Sequence, residues 1–203
     1  MQSSAFGPLG GEGVSTQRRA ITTKADVGYQ VYTALAYGMK EIGYFTYWQH
    51  WNTKHPEVTG EDYYSAMVMY PEENGQESVK TDAYYAVQDI NMEVKKFDHV
   101  LMNFEWQGTM AVQKSDPYGT LKYISDYTAP RIESVDATED TIIGHLKDGD
   151  GYDGFMIVNV TEPSQGLSTN VTVKFKEASS ALAYIEGEET AIELQNGSYT
   201  FEL

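Results

Sequence analysis

The segment Ile42–Trp48 constrains the fold of this chain more than any other part of the sequence. Its seven residues, IGYFTYW, are apolar or aromatic at nearly every position and offer no polar face to water. Short apolar runs of this kind are typical of strands that are buried on both faces of a parallel sheet. Since such a sheet needs helices on each face, we expect an α/β layer around this strand.

Two segments with helical periodicity flank this strand. The first begins at a capping box of Thr23 and Asp26 and covers residues 24 to about 37, where Gly38 is expected to end it. The second begins near Thr81 and extends to about residue 104. Its predicted buried stripe is Ala83, Val87, Ile90, Val94, Phe97, Leu101 and Phe104.

Beyond residue 106, apolar residues recur at every second position, which is the period of β-strands. Short alternating segments separated by turn residues are typical of an antiparallel sandwich or open barrel. The predicted strands are 107–113, 121–127, 132–138, 141–147, 155–161, 171–176, 181–185 and 198–203. An Asn-Gly turn at residues 74 and 75 also predicts a hairpin of residues 65–70 with 76–79. The sequence therefore predicts two parts, residues 1–106 and residues 107–203, with the boundary near Trp106.

The first part is too short to close a parallel barrel by itself. An eight-stranded (β/α) barrel takes about 250 residues, and residues 1–106 hold one or two strand–helix units. We therefore expect either that the chain is the C-terminal portion of a larger protein or that association completes its core. The partner would be another chain or, in a homo-oligomer, a second copy of this one.

Charge and composition exclude several classes of function. The chain has 30 acidic and 14 basic residues, and its net charge of −16 argues against nucleic acid or an anionic membrane as a partner. No segment has the roughly 18 consecutive apolar residues of a membrane span. The absence of cysteine excludes disulfides, Cys-ligated zinc and Cys nucleophiles. The acidic composition favours an extracellular or periplasmic location.

Tyrosine dominates an aromatic content of 13%, with 16 Tyr in the chain. Tyr and Trp combine an apolar face with a polar edge, which suits surfaces that bind sugars. An aromatic-rich core is the alternative interpretation.

The segment 29–48, YQVYTALAYGMKEIGYFTYW, resembles the end of a (β/α)8-barrel glycoside hydrolase of the β-galactosidase-like families in the large retaining clan. The resemblance implies that residues 29–48 form the seventh helix and eighth strand of such a barrel. Residues 80–104 would then form its eighth helix, and residues 2–7 the tail of its seventh strand. The hairpin at 144–159 is similar to part of the sandwich that commonly follows such barrels. The expected fold is the C-terminal portion of a (β/α)8 barrel followed by an antiparallel β-sandwich.

The resemblance implies hydrolysis of glycosidic bonds by two carboxylates, with carbohydrate as the partner and no cofactor. In that clan the general acid/base follows the fourth strand, which would lie upstream of Met1. The nucleophile ends the seventh strand, at or before the first residues of this chain. We therefore expect a C-terminal fragment that is inactive alone. Glu12 is the catalytic candidate in the seventh-strand loop, and a solvated loop residue is the alternative.

Trp48 is the main candidate for sugar binding. Ligands bind at the carboxyl ends of strands in parallel α/β layers, and the eighth-strand Trp is a sugar platform in the family resembled. A role in the core is the alternative. Tyr44 and Thr46 share the face of Trp48 by the period of two, whereas Phe45 and Tyr47 should face helices. The candidate substrate-binding residues are Trp48, Tyr44, Thr46, Gln2, His50 and Trp51.

Two polar segments contain metal-ligating residue types. His50 and His55 lack a regular helix that would fix their geometry. Asp148, Asp150 and Asp153 resemble half of a calcium loop without the Glu at its twelfth position, so a polar turn between strands is the preferred interpretation. No metal site is predicted.

Two other functions stay open at this stage. The chain would be a carbohydrate-binding module if the aromatic loop or the sandwich binds polysaccharide without chemistry. It would be a structural subunit if it completes the barrel of another chain, because the two-sided strand Ile42–Trp48 should not face water.

Overall fold

The computed structural model describes residues 2–3, 6–8, 18–20, 23–44, 47–50, 68–70, 78–117, 119, 121–124, 126–185 and 187–203. Within these residues the chain has two helices and mostly antiparallel strands, a mostly-β α/β fold. Neither of the described helices has the length and apolarity needed to cross a membrane. The chain divides into a first unit, residues 1–30 with 41–92, and a second unit, residues 31–40 with 93–203.

The helices are α1 (Lys24–Ala36) and α2 (Asp82–Leu101). The strands of the first unit are β1 (Gln2–Ser3), β2 (Phe6–Pro8), β3 (Arg18–Ala20), β4 (Gly43–Tyr44), β5 (Trp48–His50), β6 (Val68–Tyr70) and β7 (Val79–Lys80). The strands of the second unit are β8 (Phe104–Val112), β9 (Ile132–Ala137), β10 (Thr141–Asp148), β11 (Asp153–Asn159), β12 (Asn170–Phe175), β13 (Ser180–Ile185), β14 (Glu188–Glu193) and β15 (Ser198–Glu202). The predicted boundary near residue 106 lies within β8.

Both ends of α1 follow the local signals of the sequence. The Asp26 amide donates to Thr23 Oγ1 at 3.1 Å and the Thr23 amide donates to Asp26 Oδ2 at 3.2 Å, which confirms the capping box. Gly38 has a φ of +72°. The amides of Gly38 and Met39 donate to carbonyls of the last turn, in the pattern of a Schellman cap.

The predicted apolar stripe of α2 is confirmed in part, since Ala83, Ile90 and Phe97 are buried. The helix ends at Leu101, and the prediction that it continues to Phe104 is wrong. The Asn103 side chain donates to a carbonyl of the last turn at 2.8 Å, and this bond competes with another helical turn.

The predicted strand Ile42–Trp48 is not continuous. Tyr44 ends β4, Tyr47 forms a bend with 53% of its surface exposed, and β5 begins at Trp48. The prediction that one strand ends at Trp48 is therefore wrong. That Phe45 and Tyr47 face helices stays a prediction, since Phe45 lies outside the described residues and half of Tyr47 is exposed. In the described part of the chain β4 pairs with β1 alone, and a two-sided apolar strand needs partners on both faces to stay regular.

The first unit contains both parallel and antiparallel pairs. β1 runs parallel to β4, with Gln2 opposite Gly43. β5 runs parallel to β6, and β6 runs antiparallel to β7 with Met69 opposite Val79, which confirms the predicted hairpin pairing. Its Asn-Gly turn lies outside the described residues. The antiparallel pair of β2 with β3 was not predicted.

The second unit contains two three-stranded antiparallel sheets, ordered β11-β10-β8 and β15-β12-β9, and the hairpin β13-β14. Seven of the eight predicted strands after residue 106 are found, with small shifts at their ends. The exception is 121–127, which begins with a 3-10 turn because the carboxylate of Asp116 accepts the Leu121 amide. Strand β14 was missed because its residues are mostly charged or exposed.

Strand β10 is buried on both of its faces. Ile143 joins Ile132 and Val171 in a cluster that takes residues from both three-stranded sheets. Ile142 points the other way and packs with Ala36 at the end of α1 and with Val158. The strand is therefore the centre of the second unit.

Gly144 allows β10 to lie directly against the end of α1. A Cβ atom at Gly144 would overlap the carbonyl oxygen of Ala36. The same carbonyl accepts a hydrogen bond of 3.3 Å from the hydroxyl of Thr109, so a group that lacks a partner within the helix is satisfied by the sheet.

We expect Gly144→Ala to lower the free energy of unfolding by about 2–3 kcal/mol, because the added methyl group forces the sheet away from α1. Gly149→Ala is the matched control, since a Cβ there meets no atom within 4 Å. Its effect should stay within about 0.5 kcal/mol. Urea denaturation measures both, and equal midpoints for the two variants would contradict the role of Gly144.

A buried carboxylate fixes the loop that follows β8. Asp140 is 2% exposed. Its oxygens accept the amides of Lys114 at 2.6 Å, Ser115 at 3.1 Å and Asp116 at 2.6 Å, together with the Ser115 hydroxyl at 2.8 Å. Burial by itself raises the pKa of Asp140, but these hydrogen bonds outweigh it and hold the pKa below the ordinary value of 3.8.

We expect Asp140→Asn to lower the free energy of unfolding by at least about 2 kcal/mol at pH 7, because an amide cannot accept all four bonds. The folded pKa is depressed, so the contribution of Asp140 is present above its unfolded pKa and is lost as the pH falls below about 4. The difference in free energy of unfolding between wild type and Asp140→Asn should therefore be smaller at pH 3 than at pH 7, as unfolding curves at both pH values will show. Asp136→Asn, at a side chain that is 84% exposed, is the control. A loss that is equal at both pH values would refute the carboxylate's role.

Candidate functional site

The structure describes some of the predicted site residues and not others. Glu12, Thr46 and Trp51 lie outside the described residues, as does His55. Gln2 lies on β1, Tyr44 on β4, and Trp48 and His50 on β5. The parallel register brings Gln2 next to β4, whereas β4 and β5 belong to separate sheets. The alternation that assigned Tyr44 and Trp48 to one strand face is therefore interrupted.

Tyr44 is held by the second helix. Its hydroxyl donates to Asn91 Oδ1 at 2.9 Å, and the side chain is half-buried. Burial raises the pKa of Tyr44, so the hydroxyl stays neutral at physiological pH. Asn91 thus fixes the ring at the carboxyl end of β4.

Three tyrosines, Tyr47, Tyr84 and Tyr85, interact with Lys80, which ends β7 just before α2. The Lys80 ammonium lies 4.2 Å from the centre of the Tyr84 ring, and the rings of Tyr84 and Tyr85 meet edge to face at 5.5 Å. The hydrogen bond with Tyr84 raises the pKa of Lys80 and outweighs desolvation, which lowers it. Electrostatic interactions with Tyr84, Tyr85 and Tyr47 also raise this pKa. The ammonium therefore stays charged.

The group around Lys80 continues to Tyr44 along one face of α2. Tyr84 and Asn91 are seven positions apart, two turns of a helix, and so lie on the same face. Tyr47 and Tyr85 expose 53% and 51% of their surfaces. We call Tyr44, Tyr47, Lys80, Tyr84 and Asn91 the tyrosine cluster. It offers ring faces, an ammonium donor and an amide, which are groups that bind a polyhydroxylated ligand.

Sequence analysis missed Lys80, Tyr84 and the partner role of Asn91. The adjacent tyrosines at the first turn of α2 were the available signal, but only the folded chain brings them to Tyr47. In the part of the chain that the structure describes, no group of three His, Asp or Glu side chains is placed to hold a metal ion.

The second unit contains a buried polar network around His145, which is 3% exposed. Its Nδ1 bonds the Tyr127 hydroxyl and its Nε2 lies 2.7 Å from Asp153 Oδ1, while Arg131 Nε lies 3.4 Å from the other oxygen of Asp153. The ring stacks between Tyr127 and Phe155. Burial and the charge of Asp153 raise the pKa of Tyr127, which is the opposite of nucleophile activation. The network is a satisfied part of the core.

The three aspartates after β10 do not converge. Asp148 Oδ1 accepts the amides of Asp150 at 3.0 Å and Tyr152 at 2.8 Å, whereas Asp153 turns to His145. The predicted polar turn is confirmed by these bonds.

Comparison of the chain with protein-family models, with curated proteins and with solved structures found no significant match. The resemblance to barrel glycoside hydrolases is a prediction from the sequence, as are the roles of Trp48 and the other candidate residues.

We expect Tyr44→Phe to lower the free energy of unfolding by about 1 kcal/mol, because it leaves Asn91 without its donor. Tyr85→Phe should change it by less than about 0.5 kcal/mol, since that side chain is half exposed. Chemical denaturation measures both. An unchanged stability in Tyr44→Phe would show that the bond does not hold the cluster.

Proposed function

We propose that this chain forms the end of a (β/α)8-barrel glycoside hydrolase and the β-sandwich that follows it. In this proposal the chain supplies a sugar-binding surface, and the acid/base carboxylate comes from another part of the enzyme. Carbohydrate is the ligand.

The observation that carries the proposal is the β1–α1–β4 arrangement. Gln2–Ser3 and Gly43–Tyr44 are parallel neighbours, and helix α1 lies between them in the chain. Parallel neighbours joined by a connection that contains a helix are the repeating unit of (β/α) barrels. Helix α2 comes before the strands of the second unit, in the order that the sequence resemblance implies.

The second unit supports the sandwich part of the proposal. Its two antiparallel sheets share a hydrophobic cluster that includes Ile143 of one sheet and Val171 and Val173 of the other. A core between the inner faces of two sheets is the defining feature of a sandwich.

The tyrosine cluster supports the sugar-binding part. It lies where β4 ends, and ligands of parallel α/β folds bind at the carboxyl ends of strands. Trp48 follows Tyr47 directly in the chain and would add an aromatic platform.

We expect the purified chain to bind neutral oligosaccharides and to hydrolyse none of them. Calorimetric titration with cellohexaose, xylohexaose and galactohexaose measures binding, and release of nitrophenol from aryl glycosides measures turnover. Trp48→Ala and Lys80→Met should each weaken binding by about tenfold, the loss of roughly 1.4 kcal/mol of contact energy. Tyr152→Ala, at a side chain that is 71% exposed in the second unit, is the control.

Turnover by the chain alone would contradict the assignment of the acid/base to another part of the enzyme. Binding that persists unchanged in both Trp48→Ala and Lys80→Met would contradict a sugar site at this strand end.

A role in assembly is the second candidate function. It is favoured by the exposure of Gly43 on β4 and of Tyr47, which follows this strand. In the described residues β4 pairs with β1 alone. Sedimentation velocity across a range of protein concentrations tests it, since a chain that stays monomeric would count against self-association.

A further inference from the structure

Two large aromatic side chains lie together on the surface of the second unit. Trp106 on β8 is 46% exposed and Tyr37 after α1 is 37% exposed. Their ring centres are 6.4 Å apart and the ring planes differ by 35°. A single exposed aromatic residue needs no explanation, whereas two neighbouring exposed rings form a joint apolar surface with polar edges.

A β-bulge gives Trp106 this position. Against β10, Gly108 lies opposite His145 and Trp106 lies opposite Leu146, so Gln107 is an extra residue in β8. The bulge reverses the alternation of side chains, and Trp106 reaches the same side of the sheet as Thr109. The indole Nε1–H donates to the Thr109 hydroxyl at 3.0 Å.

Gly38, two residues after the end of α1, packs against the Cβ and Cγ of Trp106. A Cβ atom at Gly38 would overlap the Cβ of Trp106, and the φ of +72° at Gly38 also favours glycine. Thr109, which accepts from the indole, donates in turn to Ala36. Trp106 is therefore held by hydrogen bonding and packing while 46% of its surface is exposed.

The surroundings favour a neutral ligand with hydroxyl groups. The Lys40 ammonium donates to the carbonyls of Leu101, which ends α2, and Phe104, which begins β8. Burial raises the pKa of Tyr37, so its hydroxyl is neutral and can donate. The exposed Gln107 side chain donates to the Glu105 carbonyl at 3.0 Å. The net charge of −16 disfavours polyanions.

We propose that Trp106 and Tyr37 form a second saccharide-binding platform, separate in residues from the tyrosine cluster of the first unit. The C–H face of a pyranose ring would stack on the indole, and its hydroxyls would bond the Tyr37 hydroxyl. The choice of saccharide as the ligand class rests on the proposed function, but the geometry of the platform does not.

The three tryptophans of the chain allow each site to be observed separately. In the double variant Trp48→Phe and Trp51→Phe, Trp106 is the remaining indole. We expect cellohexaose, xylohexaose or galactohexaose to produce a saturable change in the fluorescence of this variant. Trp106→Ala in the otherwise native chain should remove one of two sites in calorimetric titration. It keeps the Cβ that packs on Gly38, and an unchanged melting temperature verifies the fold.

Tyr123→Ala, at a side chain that is 80% exposed, is the matched aromatic control and should leave both sites intact. Thr109→Val tests the orientation of the indole and should weaken the Trp106 site by about tenfold, equivalent to about 1.4 kcal/mol.

The outcomes separate this inference from the proposed function. Loss of one site in Trp106→Ala, with or without an effect of Trp48→Ala, supports the platform. Loss of all binding in Trp48→Ala would overturn the platform and leave the proposed function standing. Failure of all three hexasaccharides to change Trp106 fluorescence would also overturn it. So would a Trp106→Ala variant that changes the sedimentation coefficient but binds sugar normally, since the surface would then be a protein contact.

Discussion

The close approach of Gly144 to the carbonyl end of α1 is the constraint on which the second unit depends. Without a side chain at that position, β10 lies directly on the helix and encloses Ala36 with Ile142 and Val158. The opposite face of β10 supplies Ile143 to the core that the two sheets share. The six residues from Thr141 to Leu146 are consequently all buried.

Local signals made the helices and most strands of the second unit predictable. The capping box at Thr23 and the glycine at position 38 act within a few residues of each other, so the sequence alone determines the ends of α1. Burial on both faces of a strand is different, because it depends on partners far away in the chain. Ile42–Trp48 and β10 are both apolar on both faces, yet in the described residues only β10 has covering elements on each side.

The candidate site was predictable only in outline. Tyr44 and Trp48 were predicted as site residues because ligands bind at the carboxyl ends of parallel strands and because of the family resemblance. Tyr44 does lie at the end of β4. Lys80 and Asn91 belong to a later strand and helix, and their proximity to Tyr47 and Tyr44 is a product of folding. The position of Trp106 depends on a single extra residue in β8, and no hydrophobic pattern reveals such a bulge.

The packing of the end of α1 against β8 and β10 also has a consequence for the order of folding. The bond from Thr109 to Ala36 joins residues 73 positions apart, and contacts of such separation form slowly because a long loop must close. During synthesis at about 5–20 residues per second, the end of α1 would wait roughly 5–22 s for Gly144 of β10. Throughout that interval its apolar face is uncovered, so the nascent chain is most exposed to misassociation before β10 is complete.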